Sequence, residues 1–405
     1  MMRSSRGPGG FAWFAVAAVV LLALNLRPGA TSVGPVLAEV SRDLGMGPTM
    51  AGVLTALPGL CFGVVGAVAV WVAARLSLSG ALAVGTVAAA AGLLARSFSP
   101  DPWSFLVFSV LAFAGMALGN VLLPSFIKRH FPVRTVLVTA LYTCGLSAGA
   151  TLASLTAAPL SHALPGGWRA SLGAWGVASA VALALWIPLG LRERRQRRAG
   201  AALRPPGSLW GIAHSPKAVA LALFFGTQSM QAYVQFGWIA QIFRDAGVSQ
   251  ALAGVLASII AACGMPEGLL MPGVLARMRD PRWLGPITGV LLLAGYLGIL
   301  LAPLAAPVLW ALLLGLSGAA FPTAIALITA RSRDPHVTAQ LSGFTQSVGY
   351  LLAAVGPFAI GSLHAVTGGW TVPLIVLAAS SVVMAASGWI SAAPGFVDDE
   401  LPAAD

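Results

Sequence analysis

Residues 42–75, RDLGMGPTMAGVLTALPGLCFGVVGAVAVWVAAR, lie without a gap over residues 244–277, RDAGVSQALAGVLASIIAACGMPEGLLMPGVLAR, at a shift of 202 positions. Twelve of the 34 pairs are identical: Arg42, Asp43, Gly45, Ala51, Gly52, Val53, Leu54, Cys61, Gly66, Val72, Ala74 and Arg75 all recur. Apolar bias alone does not align an Arg-Asp pair at one end and an arginine at the other. The same shift carries His162, Gly166, Gly167 and Trp168 onto His364, Gly368, Gly369 and Trp370. Two distant blocks on one offset imply one unit written twice.

Composition says what that unit contains. Of 405 residues, 58% are hydrophobic and 9% charged, whereas a soluble domain is about a quarter charged. The surface therefore faces lipid. With about 20 apolar residues to each crossing, the breaks mark twelve spans, near 11–38, 48–74, 79–97, 103–127, 135–162, 168–191, 216–243, 249–276, 283–302, 307–330, 337–364 and 370–392. Long apolar runs exclude an outer-membrane barrel, whose strands alternate over roughly ten residues. The expected fold is an all-α membrane protein with two pseudo-symmetric six-helix bundles. They cover 1–191 and 216–392, with a basic linker at 192–215 and an acidic tail at 393–405.

The net charge of +11 is a topology signal, not a nucleic-acid footprint. Eighteen of the 23 lysines and arginines fall on the side of the two termini; Arg42, Arg96, Arg169 and Arg244 fall on the other, and Arg27 lies inside the membrane. A cytoplasmic excess of basic residues orients membrane proteins, so both termini are expected in the cytoplasm of a multi-pass cell-membrane protein, with anionic lipid a secondary ligand of the basic face. Arg3 and Arg6 before an apolar run also suit a signal peptide, but cleavage would leave an odd number of spans. Cys61, Cys144 and Cys263 all fall in spans and read as small packing residues.

Two six-helix halves in the same orientation with a long connection resemble the major facilitator superfamily. The segment 25–63, NLRPGATSVGPVLAEVSRDLGMGPTMAGVLTALPGLCFG, resembles the first helix pair of the cyanate porter family, which also includes nitroimidazole transporters. This resemblance implies a secondary active transporter that moves a small anionic or polar solute by alternating access. Its site would lie near the midplane between the halves. One departure concerns gating. The loop after the second span keeps Gly66 and Arg75 but lacks the acidic partner that the superfamily's loop motif carries there, while the equivalent loop of the second half supplies Arg277, Arg279, Asp280 and Arg282. Arg75 and Arg277 are the gating candidates.

Charged and amide side chains inside the spans mark the site. An arginine at a helix centre costs about 2.5–3.5 kcal/mol on insertion scales. Helix geometry puts Arg27, Thr31 and Gly34 on one face and Asn25 on another, while Pro28 and Pro35 loosen the backbone. Arg27 is expected to meet an anion or the acidic group of an organic substrate; the alternative is a permanent ion pair. Glu267 is a candidate carrier of a coupling proton, with pairing to Arg27 or a place in the cytoplasmic gate as alternatives. In the seventh span Gln228, Gln231 and Gln235 form a stripe continued by Trp238, with Tyr233 roughly opposite; this stripe is expected to line the cavity rather than glue helices together. Asn120, Tyr142, Thr143, Gln346 and Tyr350 are weaker candidates. His162 and His364 recur with the repeat and suggest a structural role, and Gly145 and Gly149, four apart, suit close helix packing. No enzyme motif, metal-ligand spacing or phosphate loop stands out, so neither catalysis nor a cofactor is expected. A drug or metabolite exporter is the rival within transport, and a non-transporting sensor or scaffold the rival outside it.

Overall fold

A computed structural model describes residues 9–196 and 209–401. Capping chemistry sets where the apolar runs begin. Asp101 accepts the N–H groups of Trp103 at 2.9 Å and Ser104 at 3.0 Å ahead of Pro102, the first helical residue. Ser215 and Ser249 cap their helices in the same way.

Among the described residues these signals produce twelve helical rods and no strand. They are α1 (9–44, interrupted), α2 (Pro48–Leu76), α3 (Leu78–Ser97), α4 (Pro102–His130), α5 (Thr135–Ala163), α6 (Trp168–Gln196), α7 (Pro216–Asp245), α8 (Gln250–Arg277), α9 (Leu284–Leu301), α10 (Pro307–Ala330), α11 (Pro335–Thr367) and α12 (Thr371–Ser391). Eleven are long and apolar enough to cross a membrane. The twelfth, α7, is 30 residues long and falls short in composition because of its glutamines. The rods alternate in direction, so the chain ends share one side, the terminal side; loops 45–47 and 247–249 lie on the opposite, distal side. Of the 192–215 linker, residues 192–196 extend α6 and 209–214 form a 3-10 turn, whereas 197–208 lie outside the described residues, as do 1–8 and 402–405.

The repeat seen in the sequence recurs as geometry. Gly45 (φ 68°) and Gly247 (φ 101°) end α1 and α7 in the left-handed region, where only glycine is unstrained. In the residues that follow, Met46 N–H reaches the Ser41 carbonyl at 2.8 Å and Val248 N–H reaches that of Phe243 at 3.0 Å. The indole N–H of Trp168 donates to Asp43 at 3.1 Å, and its counterpart Trp370 donates to Asp245 at 2.7 Å. Each bond ties the first helix of a half to its last.

The halves meet along α2 with α11 and α5 with α8. These pairs approach so closely that a β-carbon at Gly59 would lie 3.0 Å from the Ala354 nitrogen and one at Gly254 would lie 3.1 Å from the Ser154 carbonyl. On the distal side the halves are also latched by polar bonds. Arg244 of α7 grips Glu39 of α1 through two bonds of 2.8 and 2.9 Å. Gln250 of α8 pairs with His162 of α5 at 2.9 Å and donates to the Pro35 carbonyl at 3.2 Å.

Candidate functional site

The site grows out of the interruption in α1. An α-helix runs to Asn25, a single turn covers Pro28–Thr31, a 3-10 turn covers Gly34–Val36, and the helix resumes at Leu37–Leu44. Pro35 has no N–H to give to the Thr31 carbonyl four residues back, and further carbonyls open where the chain passes from one short turn to the next. In an apolar surrounding those carbonyls need substitutes. Gly29 receives Nη1 of Arg96 from α3 at 2.9 Å, Thr31 receives the Ser154 hydroxyl from α5 at 3.2 Å, and Pro35 receives Gln250 from the other half.

Arg27 stands at the start of this broken turn. Its guanidinium lies 5.7 Å from the centre of the Phe236 ring, and the phenols of Tyr142, Tyr233 and Tyr350 are its electrostatic neighbours. Among the described residues it forms no ion pair. The Tyr142 hydroxyl reaches Asn120 Oδ1 at 3.2 Å, and Tyr350 faces the same amide. Phe62 fills the floor, its ring 6.3 Å from that of Tyr233 and 5.7 Å from that of Tyr350. One half thus supplies Arg27, Phe62, Asn120 and Tyr142, and the other Tyr233, Phe236 and Tyr350. Arg27 and Asn120 remain partly exposed. Distal to them, Ala30, Val33, Leu54, Thr55, Pro58 and Phe113 close against Tyr233, Phe236 and Gly237, leaving about 10 Å³ of space, at most one water. A partly exposed cation, amide and hydroxyl donors, and flat aromatic walls suit a small acceptor-rich or anionic solute.

Other residues expected at the site from the sequence change place, and the glutamine stripe changes most. Gln231 donates to the Ser380 hydroxyl of α12 and accepts from the Tyr296 hydroxyl of α9 at 2.6 Å; Gln235 donates to the same Tyr296 oxygen at 3.3 Å. Gln228 accepts from Ser229 at 3.3 Å, and Trp238 donates to the Pro357 carbonyl at 3.0 Å. The stripe therefore ties its own half together. Buried polar groups need partners, which α9 and α12 provide for Gln231 and Gln235 and α11 for the Trp238 indole, and this turns the opposite face of α7, with Tyr233, toward Arg27.

Asn25 is likewise structural, accepting from Ser179 of α6 at 3.2 Å and donating to Leu21 at 2.7 Å. Thr31 is fully buried and its hydroxyl turns back to the Arg27 carbonyl at 3.3 Å. Gln346 donates to Ser342 one turn away at 2.9 Å, and Thr143 to Thr139 at 3.0 Å. Arg75 lies over Trp71 of its own helix and Arg277 donates to Gly273 of its own helix, so the two gating candidates stand in different surroundings. Glu267 forms no ion pair with Arg27. Its carboxylate faces Gly318 and the Ala319 N–H at the 3-10 turn that interrupts α10, and Oε1 has no hydrogen-bond partner among the described residues. The recurrent histidines diverge: His162 bonds to Gln250, while His364 stacks on Trp370 with ring centres 4.0 Å apart. Arg96, counted from the sequence among the outer cations, has no exposed surface.

Sequence reasoning missed Tyr233 as a site residue, along with Phe236, Phe62 and Arg96. A signal for the first two was present: a shift of 202 carries the face Arg27, Thr31 and Gly34 onto Ser229, Tyr233 and Phe236.

Comparison with known proteins agrees with this architecture. The chain is 34% identical over 370 residues to the 2-nitroimidazole transporter of Escherichia coli (strain K12), covering 91% of this chain and 92% of that one. It is 30% identical over 354 residues to the cyanate transport protein CynX of the same organism, covering 87% and 90%. Among solved structures it superposes with a TM-score of 0.76 and 16% identity on a bacterial homologue of the human lysosomal transporter Spinster in an inward-facing, occupied conformation, covering 98% of this chain and 100% of that one. The family model of the Major Facilitator Superfamily matches residues 13–357. The chain belongs to the major facilitator superfamily and is a secondary active transporter, not an enzyme.

Proposed function

We propose that this transporter carries a small monovalent anion or an acceptor-rich heterocycle, cyanate-like or nitroimidazole-like, with Arg27 as its counter-ion. The observation that carries this reading is a partly exposed guanidinium between the halves with no carboxylate partner among the described residues and three phenols around it. A fixed positive charge in a low-dielectric site attracts an anion or the oxygens of a nitro group, and the planar rings stack on a flat solute. The names of the two bacterial relatives point to the same chemistry. The terminal side is the cytoplasm, by the distribution of basic residues. Closure of the distal face over Arg27 then leaves the site to the cytoplasm, and rocking of the halves exchanges the two openings. Glu267 carries the coupling proton: a buried carboxylate with one oxygen unpartnered among the described residues is costly when charged, and a proton removes the charge.

The test is flux into proteoliposomes of cyanate and 2-nitroimidazole, with and without a pH gradient, for the wild type, Arg27→Gln and Glu267→Gln. Loss of affinity in Arg27→Gln is expected, and wild-type affinity there would remove the counter-ion. Glu267→Gln should exchange solute without responding to the pH gradient; an unchanged response would remove it as the proton site.

A further inference from the structure

We infer that Arg96 is a positioning residue for Arg27: by donating to the Gly29 carbonyl it holds the broken turn of α1 in the geometry that presents Arg27 to the solute. This inference rests on the counter-ion role proposed for Arg27.

Arg96 is fully buried at the distal end of α3. Nη1 donates to Gly29 at 2.9 Å, while Nε and Nη2 have no hydrogen-bond partner among the described residues. The guanidinium rests near Phe105 and Phe113, with ring centres at 5.7 and 6.0 Å. A cation without a carboxylate is an expensive thing to bury. Residues that only fill space need no charge there, so the acceptor explains the arginine: the Gly29 carbonyl, which the break leaves open.

That carbonyl is mechanically close to Arg27. The single turn Pro28–Thr31 hangs from the Arg27 carbonyl, which accepts from the N–H groups of Ala30 at 3.0 Å and Thr31 at 3.1 Å. Gly29 lies in the middle of the turn, and a β-carbon there would collide with Met116 and press on Phe113 of α4. A tilt of the turn about Gly29 would swing the Arg27 side chain away from Phe236 and the phenols.

The duplicated half serves as an internal control. At a shift of 202, Arg27 corresponds to Ser229, Gly29 to Gln231 and Arg96 to Gly298. There α7 runs unbroken through Pro216–Asp245. The site arginine, the break and the buried arginine that clamps it occur together in one half and are all replaced in the other.

The experiment uses full-length protein in proteoliposomes, with cyanate and 2-nitroimidazole each as solute, for wild type, Arg27→Gln, Arg96→Gln, Arg96→Lys and the double Gln variant. Arg96→Gln should raise KM about tenfold, the effect of one lost charge-assisted hydrogen bond, with kcat changed less than about twofold. Arg96→Lys, which keeps the charge and a donor, should recover part of the affinity. Added to Arg27→Gln, Arg96→Gln should change KM no further, because residues acting through one another are not additive. Hydrogen exchange at the amides of residues 30–34 and 36 should rise about tenfold in Arg96→Gln, with α7 unchanged. Wild-type KM in Arg96→Gln, or effects that multiply in the double variant, would overturn the inference. Wild-type KM in Arg27→Gln with faster exchange in Arg96→Gln would instead remove the counter-ion reading and leave the clamp on the turn. If Arg96→Gln does not fold, Arg96→Met, which keeps the length and removes both charge and donor, takes its place, and wild-type KM and exchange in that variant would overturn the inference.

Discussion

The distal latch between Arg244 and Glu39 sets how long the halves stay closed on that side, and Glu39→Gln removes its charge while keeping its shape. Both oxygens of Glu39 are engaged, at 2.8 and 2.9 Å, and the side chains are 19% and 26% exposed. Fully exposed pairs contribute about 0.2–1 kcal/mol and hydrogen bonds to charged groups about 1.5–3; a bidentate pair at this depth lies between, at about 1–2 kcal/mol. The bond exists only while the distal side is closed, so its whole worth enters the equilibrium between closed and open forms. The closed-to-open ratio should fall by about 5- to 30-fold. Spin labels on loops 45–47 and 247–249, in a background lacking Cys61, Cys144 and Cys263, would report the distal separation by electron–electron resonance. Glu39→Gln should raise the long-distance population, the exchanged pair Glu39→Arg with Arg244→Glu should lower it again, and the difference should shrink in high salt. An unchanged distance distribution in Glu39→Gln would refute the argument.

Gln231→Leu should lower the melting temperature by several degrees, since it strips the Tyr296 hydroxyl of its acceptor at a cost of about 1–3 kcal/mol, yet leave KM unchanged; a raised KM would return the stripe to the cavity. Gly149→Ala places a β-carbon against the Leu24 carbonyl and should destabilise the α1–α5 contact by about 1–3 kcal/mol, read as a lower melting temperature. The acidic tail docks on the terminal ends of α7 and α11: Glu400 accepts from the Ser215 hydroxyl and the Lys217 N–H, and Asp398 from the N–H groups of Arg333 and Asp334. Burial pushes both carboxyls up, but these donors outweigh it and hold them below their ordinary values. Depressed carboxylates stabilise above their ordinary range and lose that contribution as pH falls through the depressed values, so tail docking, followed by protease protection, should persist at neutral pH and fail below about pH 4.

How much of this was legible in the sequence depends on the range of the interaction. The twelve rods and their division into two halves rest on runs of apolar residues and on one repeated offset, both visible locally. Arg27 was legible because a charge in an apolar run has few explanations. Arg96 was not, because it sits beside Ser97 and Ser99 at the end of its run and resembles an interfacial cation. Its burial follows from an open carbonyl 67 residues away, which only the assembled bundle brings near. The face of α7 failed for the same reason. A helix with amides on one side and Tyr233 on the other has two candidate inward faces. The choice turns on whether Tyr296 and Ser380, 65 and 149 residues from Gln231, supply partners.

The repeat itself could have made that choice. In two halves related by an axis along the membrane normal, the face of the first helix nearest the axis corresponds to the same face of its counterpart. Gly34 and Phe236 are counterparts at the shift of 202, and they touch: a β-carbon on Gly34 would collide with the Phe236 carbonyl. A residue that meets its own counterpart lies beside the axis, so Arg27 and Thr31 on the Gly34 face require Ser229 and Tyr233 on the Phe236 face. The glutamines then fall away from the centre. Duplication supplied two equivalent faces, and divergence filled one with a cation on a broken turn and the other with aromatic rings on an intact helix. That asymmetry suits a solute whose charge needs a single counter-ion and whose flat surface needs a wall.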